Sequence, residues 1–192
     1  MRVGKRAPSP IQPTEANTEF ALESLVERAR RGDVDAFRSL FDIYGDRVHR
    51  YASVRLGRAE DAQDALQDVF LAVWQGLPRF RYEHAGSFPG WLFAIARNVV
   101  ADHRRRSLRT WEVLETAPDS SAEFEGHVLS RHLLVGALER LPESQREVLI
   151  LRFMVGLSAR EIGASLGKSE GAVTAIQMRG LEQLRRRIGR DS

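Results

Sequence analysis

Apolar residues along this chain recur three and four positions apart, and no stretch shows the two-residue alternation of a strand. A period near 3.6 marks helices that bury one face. The pattern starts at Glu19 and holds to about Leu108, then resumes near His127 and continues to the C-terminus. In Asp61–Trp74 the residues Ala62, Ala65, Leu66, Val69, Phe70 and Val73 make one apolar stripe, while Asp61, Asp64, Gln67 and Asp68 lie largely on the other side. Trp91–Leu108 is apolar in its first half, with polar insertions at Arg97, Asn98 and Asp102, and ends on His103, Arg104, Arg105 and Arg106. The expected fold class is all-α.

Two interruptions divide the pattern. Pro8, Pro10 and Pro13 stand among polar residues in 1–18, which reads as a disordered tail. Between Trp111 and Gly126 the charges are Glu112, Glu115, Asp119, Glu123 and Glu125, with no lysine or arginine, around a Pro118–Ser121 centre. That composition predicts a flexible acidic linker over 110–127. The expected organisation is therefore two small helical domains, 19–109 and 128–192, on either side of it.

The second domain contains a helix-turn-helix pattern. Pro142 suits a helix start, Val148, Leu149, Leu151 and Phe153 follow at helical spacing, and Gly156 breaks the run. Ser158 and Glu161 have the spacing of a capping box, in which each side chain satisfies a free backbone N–H at the helix start. Gly167 supplies a tight turn and Ser169 a cap for the next helix, with Gly163 small where the two helices cross. Ile162, Leu166, Val173 and Ile176 face the core. The second helix of such a unit enters the major groove by its N-terminal residues. Here the candidates are Ser169, Glu170, Ala172, Thr174, Ala175, Gln177, Met178 and Arg179, with Arg160 beside them and Arg185–Arg187 available to phosphates.

In the first domain, Arg79–Gly90 mixes arginines, aromatics and glycines, a composition able to stack on unpaired bases. Asn98 and Asp102, four apart, share a helix face on which an amide beside a carboxylate would read a base edge. Each feature has a plainer reading. The acidic side of 61–74 is a solvated face or a docking surface for a basic partner, and the arginines after His103 complement a helix C-terminus or contact DNA.

Composition narrows the choice. The 192 residues carry a formal charge of only +3, so nucleic-acid binding must rest on where the charge sits. Apart from Lys5 and Lys168 the basic residues are arginines, whose planar fork suits phosphates and base edges. Zero cysteines exclude disulfides, thiolate zinc sites and a cysteine nucleophile. The five histidines lack helical zinc spacing, and neither a glycine-rich phosphate loop nor a Gly-x-Ser-x-Gly elbow occurs. The expectation is a non-enzymatic protein with no cofactor and no metal. With no membrane-length apolar run and no secretory leader, it is expected in the cytoplasm, without membrane insertion.

Three blocks in order, GDVDAFRSLFDIY with AEDAQDALQDVFLAVW, then SFPGWLFAIARNVVADHRRR, then LERLPESQREVLILRFMVGLSAREIGASLGKSEGAV, resemble the extracytoplasmic-function sigma factors, the smallest branch of the bacterial sigma family. The resemblance spans about Leu25 to Ile188. It implies an initiation factor whose partners are core RNA polymerase, through its largest and second-largest subunits, promoter DNA and an anti-sigma factor. It implies that Asp61, Asp64, Gln67 and Asp68 dock on the polymerase. Arg79, Phe80, Ser87, Phe88, Trp91, Arg97, Asn98, Asp102, Arg104 and Arg105 would then recognise and melt the minus-ten element. The helix-turn-helix would read the minus-thirty-five element, and the linker would thread polymerase channels. Thr174 stands where many members carry a basic residue, and Pro89 where a polar one is common, which predicts a stiffer loop. The competing reading is a stand-alone helix-turn-helix regulator that binds an operator without polymerase. Such a protein would carry an upstream sensor or receiver domain, and the strands of an α/β receiver are absent from the pattern.

Overall fold

The computed structural model describes residues 15–84, 86–113 and 136–188. The expected tail to Thr14 and the linker from residue 114 onward lie outside them. Every regular element among the described residues is a helix, with no strand among them. The first unit consists of α1 (Glu15–Arg30), α2 (Val34–Leu56), α3 (Ala59–Gly76), a 3-10 turn (Leu77–Arg79) and α4 (Ser87–Val113). The second unit opens with a helical stretch α5 over residues 136–139. It continues through α6 (Glu143–Leu149), a π-helical turn (Ile150–Met154), α7 (Ala159–Leu166) and α8 (Glu170–Ile188). Helix α1 thus starts at Glu15, ahead of the expected Glu19, and α4 runs past Arg109 to Val113.

Local chemistry sets the first helix boundaries. Asp33 caps α2, its Oδ1 accepting from the N–H groups of Asp35 and Ala36 at 3.0 Å each. The Ala36 N–H, then the Arg28 guanidinium, hold the Asp33 carboxyl below its ordinary pKa. The α3 stripe packs as its periodicity requires, with Ala62, Ala65, Val69 and Val73 fully buried against α2 and α4. Aromatic rings knit α2 to its neighbours: Phe37 meets Trp74 edge-on at 4.8 Å, and Tyr44 meets Phe88 at 5.4 Å. Pro89 lies in the first turn of α4, where its missing N–H costs nothing, so it starts a helix instead of stiffening a loop. Phe153, which follows Val148, Leu149 and Leu151 at helical spacing in the sequence, is largely exposed, because the π-helical turn changes the register of the residues after Leu149.

The two units pack directly on each other. Helix α7 lies along α4, and the π-helical turn meets α2. At the centre is Glu147 of α6, its side chain 6% exposed, which accepts from the Tyr51 hydroxyl at 2.8 Å and from Arg97 Nε at 2.9 Å. Arg55 approaches the other carboxylate oxygen at 3.7 Å and also pairs with Glu143. Burial, with Glu147 beside it, pushes the Tyr51 hydroxyl well above its ordinary pKa, so it stays a donor.

Candidate nucleic-acid interface

The helix-turn-helix forms from the signals its sequence carries. Ser158 Oγ accepts from the Glu161 N–H at 3.2 Å, while Glu161 Oε2 accepts from the Ser158 N–H at 2.6 Å, completing the capping box of α7. Gly167 ends α7 in the left-handed conformation at φ +62°. A Cβ on Gly163 would stand 2.6 Å from the Lys168 carbonyl oxygen, so the close crossing into α8 admits only glycine. Ser169 Oγ accepts from the Ala172 N–H at 3.3 Å. Val173 is buried and pins α8 to its unit.

This anchoring turns the other side of α8 outward. Ser169, Glu170, Ala172, Thr174, Ala175, Met178 and Arg179 are exposed, as is Arg160 on α7, and Gln177 is half-buried. Met178 is 63% exposed, high for a large apolar side chain. Thr174 Oγ1 donates to the Glu170 carbonyl at 3.0 Å and Arg179 Nε to the Ala175 carbonyl at 3.2 Å, so both side chains lie along their own helix. Arg185 and Arg186 extend the same helix as exposed cations.

The other candidates lie on α3, α4 and the segment between them. On α3 Asp64, Gln67 and Asp68 are exposed and Asp61 half-buried. Asp68 Oδ2 sits 2.8 Å from His103 Nε2 across a surface groove that Leu71, Val99, Asp102 and Arg106 also line. Before α4, Ser87 Oγ accepts from the Glu83 and His84 N–H groups and donates to the His84 carbonyl at 2.7 Å, folding the segment into a closed turn. Phe80 and Trp91 stack at 4.7 Å, with Phe88 beneath, edge-on to Phe80 at 5.7 Å.

The sequence candidates therefore separate into groups. Phe88 has no exposed surface and Phe80 little, so both support this segment from below, while Trp91 keeps part of its ring at the surface. Arg79, Asn98, Arg104 and Arg105 are exposed, and Asp102 pairs with Arg105. Arg97 is half-buried and reaches into region four: besides Glu147, it donates to the Ser165 carbonyl of α7 at 3.0 Å. Sequence reading singled out neither Glu147 nor its partners Tyr51 and Arg55. The available signal was a carboxylate directly before the apolar run Val148–Leu151, a position that buries it.

Comparison with known proteins gives these surfaces a context. The chain matches the Sigma-70 region 2 family over residues 40–110 and the Sigma-70 region 4 family over residues 137–186. It is 36% identical to the ECF RNA polymerase sigma factor BldN of Streptomyces coelicolor, over 94% of this chain and 71% of that one. The chain belongs to the extracytoplasmic-function sigma factors. A second relative, SigD of Mycobacterium tuberculosis, is 36% identical over 93% of this chain and 89% of its own. Among solved structures, CnrH in complex with the cytosolic domain of CnrY aligns at a TM-score of 0.71 and 27% identity, covering 90% of this chain and 99% of that one. The fold is also shared, at 22% identity and a TM-score of 0.64, by the sigma factor RpoE of Bartonella quintana, solved with the anti-sigma factor NepR.

This sigma factor thus directs transcription initiation by binding core RNA polymerase and promoter DNA, its region-two match running from within α2 into α4 and its region-four match from α5 into α8. Among the described residues no helix is long and apolar enough to cross a membrane.

Proposed function

We propose that the sigma factor docks on core polymerase through Asp61, Asp64, Gln67 and Asp68. It opens the minus-ten element with the segment Phe80–Arg106 and reads the minus-thirty-five element with Arg160 and the Ser169–Arg179 face of α8. The observation that carries the docking assignment is the one-sidedness of α3. Its apolar stripe is consumed by the core, leaving an outward acidic face that meets the rest of region two at Asp68, paired with His103. A basic helical partner fits such a face, and opposed charges raise the rate of encounter. For α8 the support is its exposed N-terminal half, held by the Ser169 cap and a glycine crossing.

In region two, Asn98 and Asp102 are the base-reading pair, Trp91 the stacking ring, and Arg79, Arg104 and Arg105 the phosphate contacts, while Phe80, Phe88 and Ser87 hold the segment in shape. Extracting a base costs a few kcal/mol, which a preformed pocket and polymerase contacts offset. An anti-sigma factor completes the partner set, on the precedent of RpoE solved with NepR.

Run-off transcription with purified core polymerase on a library of promoter fragments tests the whole reading. Transcripts from a defined subset, appearing only with the protein and lost with Asp64→Arg/Asp68→Arg, are expected. Specific DNA binding by the protein alone without stimulated transcription would overturn this reading in favour of a stand-alone regulator.

A further inference from the structure

Helix α8 carries a large apolar side chain that its own unit does not use. Val173 and Leu184 are buried, and Ile176 and Leu181 pack against the same core. By helix geometry Met178 stands about 140° around α8 from Val173, and 63% of it is exposed even with both regions packed.

Its neighbours on that face are low. Gly171, Ala175 and Met178 are all exposed and fall at i, i+4 and i+7, one line along the helix. A Cβ added to Gly171 would meet nothing within 4 Å among the described residues, so the fold does not call for glycine there. A glycine on an exposed helix face costs helix stability and lets another surface approach the backbone closely. Two flanking side chains with hydrogen-bonding capacity lie back on their own helix, Thr174 Oγ1 on the Glu170 carbonyl and Arg179 Nε on the Ala175 carbonyl. Met178 is thus the one large side chain on that line.

In a DNA-reading helix such a line meets the edges of base pairs. Amino and carbonyl groups occupy most of those edges, and covering one with a thioether strips its water without replacing the hydrogen bond. The C5 methyl of thymine is the apolar group that the major groove presents. Methionine, unbranched and polarisable, adapts to such a methyl with little strain.

We infer that Met178 is a specificity-determining residue of region four, packing on the C5 methyl of a thymine in the upstream element, with Gly171 and Ala175 leaving room for the base edges beside it. This rests on the assignment of the Ser169–Arg179 face to the minus-thirty-five element made above, and adds the base that the centre of that face selects.

The test uses the full chain with core polymerase on a promoter found by run-off transcription. Each thymine of the upstream element, on either strand, is replaced in turn by deoxyuridine, which removes the methyl and keeps every hydrogen bond. One replacement should weaken promoter binding by the wild-type holoenzyme about fourfold, the worth of one buried methyl group. Met178→Ala changes an exposed residue to a better helix former, so the fold is kept. This variant should bind the thymine promoter at least about fourfold more weakly than wild type and be indifferent to that replacement, as a double-mutant cycle requires of two groups in contact. A response to uracil that persists in Met178→Ala, or no response to any replacement in wild type, would overturn the proposal. A scrambled upstream element separates this inference from the reading beneath it. If scrambling weakens binding while uracil does nothing, α8 reads the element by other contacts and only the methyl readout fails. If scrambling leaves binding unchanged, the assignment of α8 to the element fails, and the methyl readout with it.

Discussion

Helices α4 and α8 are the two candidate DNA readers of this sigma factor, and the structure treats them in opposite ways. Helix α8 is fastened from behind by Val173 and the Gly163 crossing, and it turns Ser169, Glu170, Thr174 and Met178 to solvent. Helix α4 carries its candidates on two sides. Asn98 points outward, while the adjacent Arg97 is held by Glu147 and Ser165 of the other region. The candidate reader of duplex DNA faces solvent, whereas the candidate for an unpaired strand is partly engaged within the protein. Exposure on a helix therefore follows from what else packs there, and two neighbouring polar residues on one helix can have different fates.

Single substitutions put this contrast to the test. The largest effect is expected from Gly163→Val, which drives a side chain into the Lys168 carbonyl and should destabilise region four by about 3 kcal/mol. Its thermal transition should fall, with loss of minus-thirty-five binding in a mobility-shift assay. Asn98→Ala should leave the melting temperature unchanged and lower run-off transcription roughly tenfold, the effect of about 1–3 kcal/mol of lost base discrimination. Unchanged transcription would remove Asn98 from the site. Ser158→Ala takes away half of the capping box and should cost about 1 kcal/mol, read as a lower denaturation midpoint with the slope preserved.

The smallest effect concerns pH. Burial would raise the Glu143 carboxyl, but the hydrogen bond and charge of Arg55, with Arg146 and Arg104, outweigh this and hold it below its ordinary pKa. A carboxyl depressed in the folded state adds stability at neutral pH that is lost as pH falls through and below the ordinary carboxylate range. The same sign holds for Asp33. Acid titration should therefore open the contact between the regions, monitored by the distance between spin labels at Glu60→Cys and Glu182→Cys, and Glu143→Gln should flatten that response. An acid response that is unchanged in Glu143→Gln would place the titrating group elsewhere.

Much of this was legible in the residues alone. The α3 stripe, the capping box at Ser158 and Glu161, the turn at Gly167 and the crossing at Gly163 all lie where periodicity and capping chemistry put them. These are local effects, decided by neighbours within a turn or two. Phe80 and Phe88 show where that reasoning stops. An aromatic residue among arginines and glycines reads as a stacking surface, yet both rings are turned inward by Tyr44 and Trp91, which lie outside the segment's own pattern.

By itself the sequence determined an all-helical chain, the positions of its caps and turns, the helix-turn-helix and the acidic outer face of α3. Only the tertiary structure decided that region four would lie on α4, that Glu147 would be buried among Tyr51, Arg55 and Arg97, and which of the polar residues of α4 would meet solvent. The reason is one of range. Helix periodicity and capping act between residues at most about four apart, whereas Arg97 and Glu147 are separated by fifty residues and meet only because two separately patterned units pack face to face.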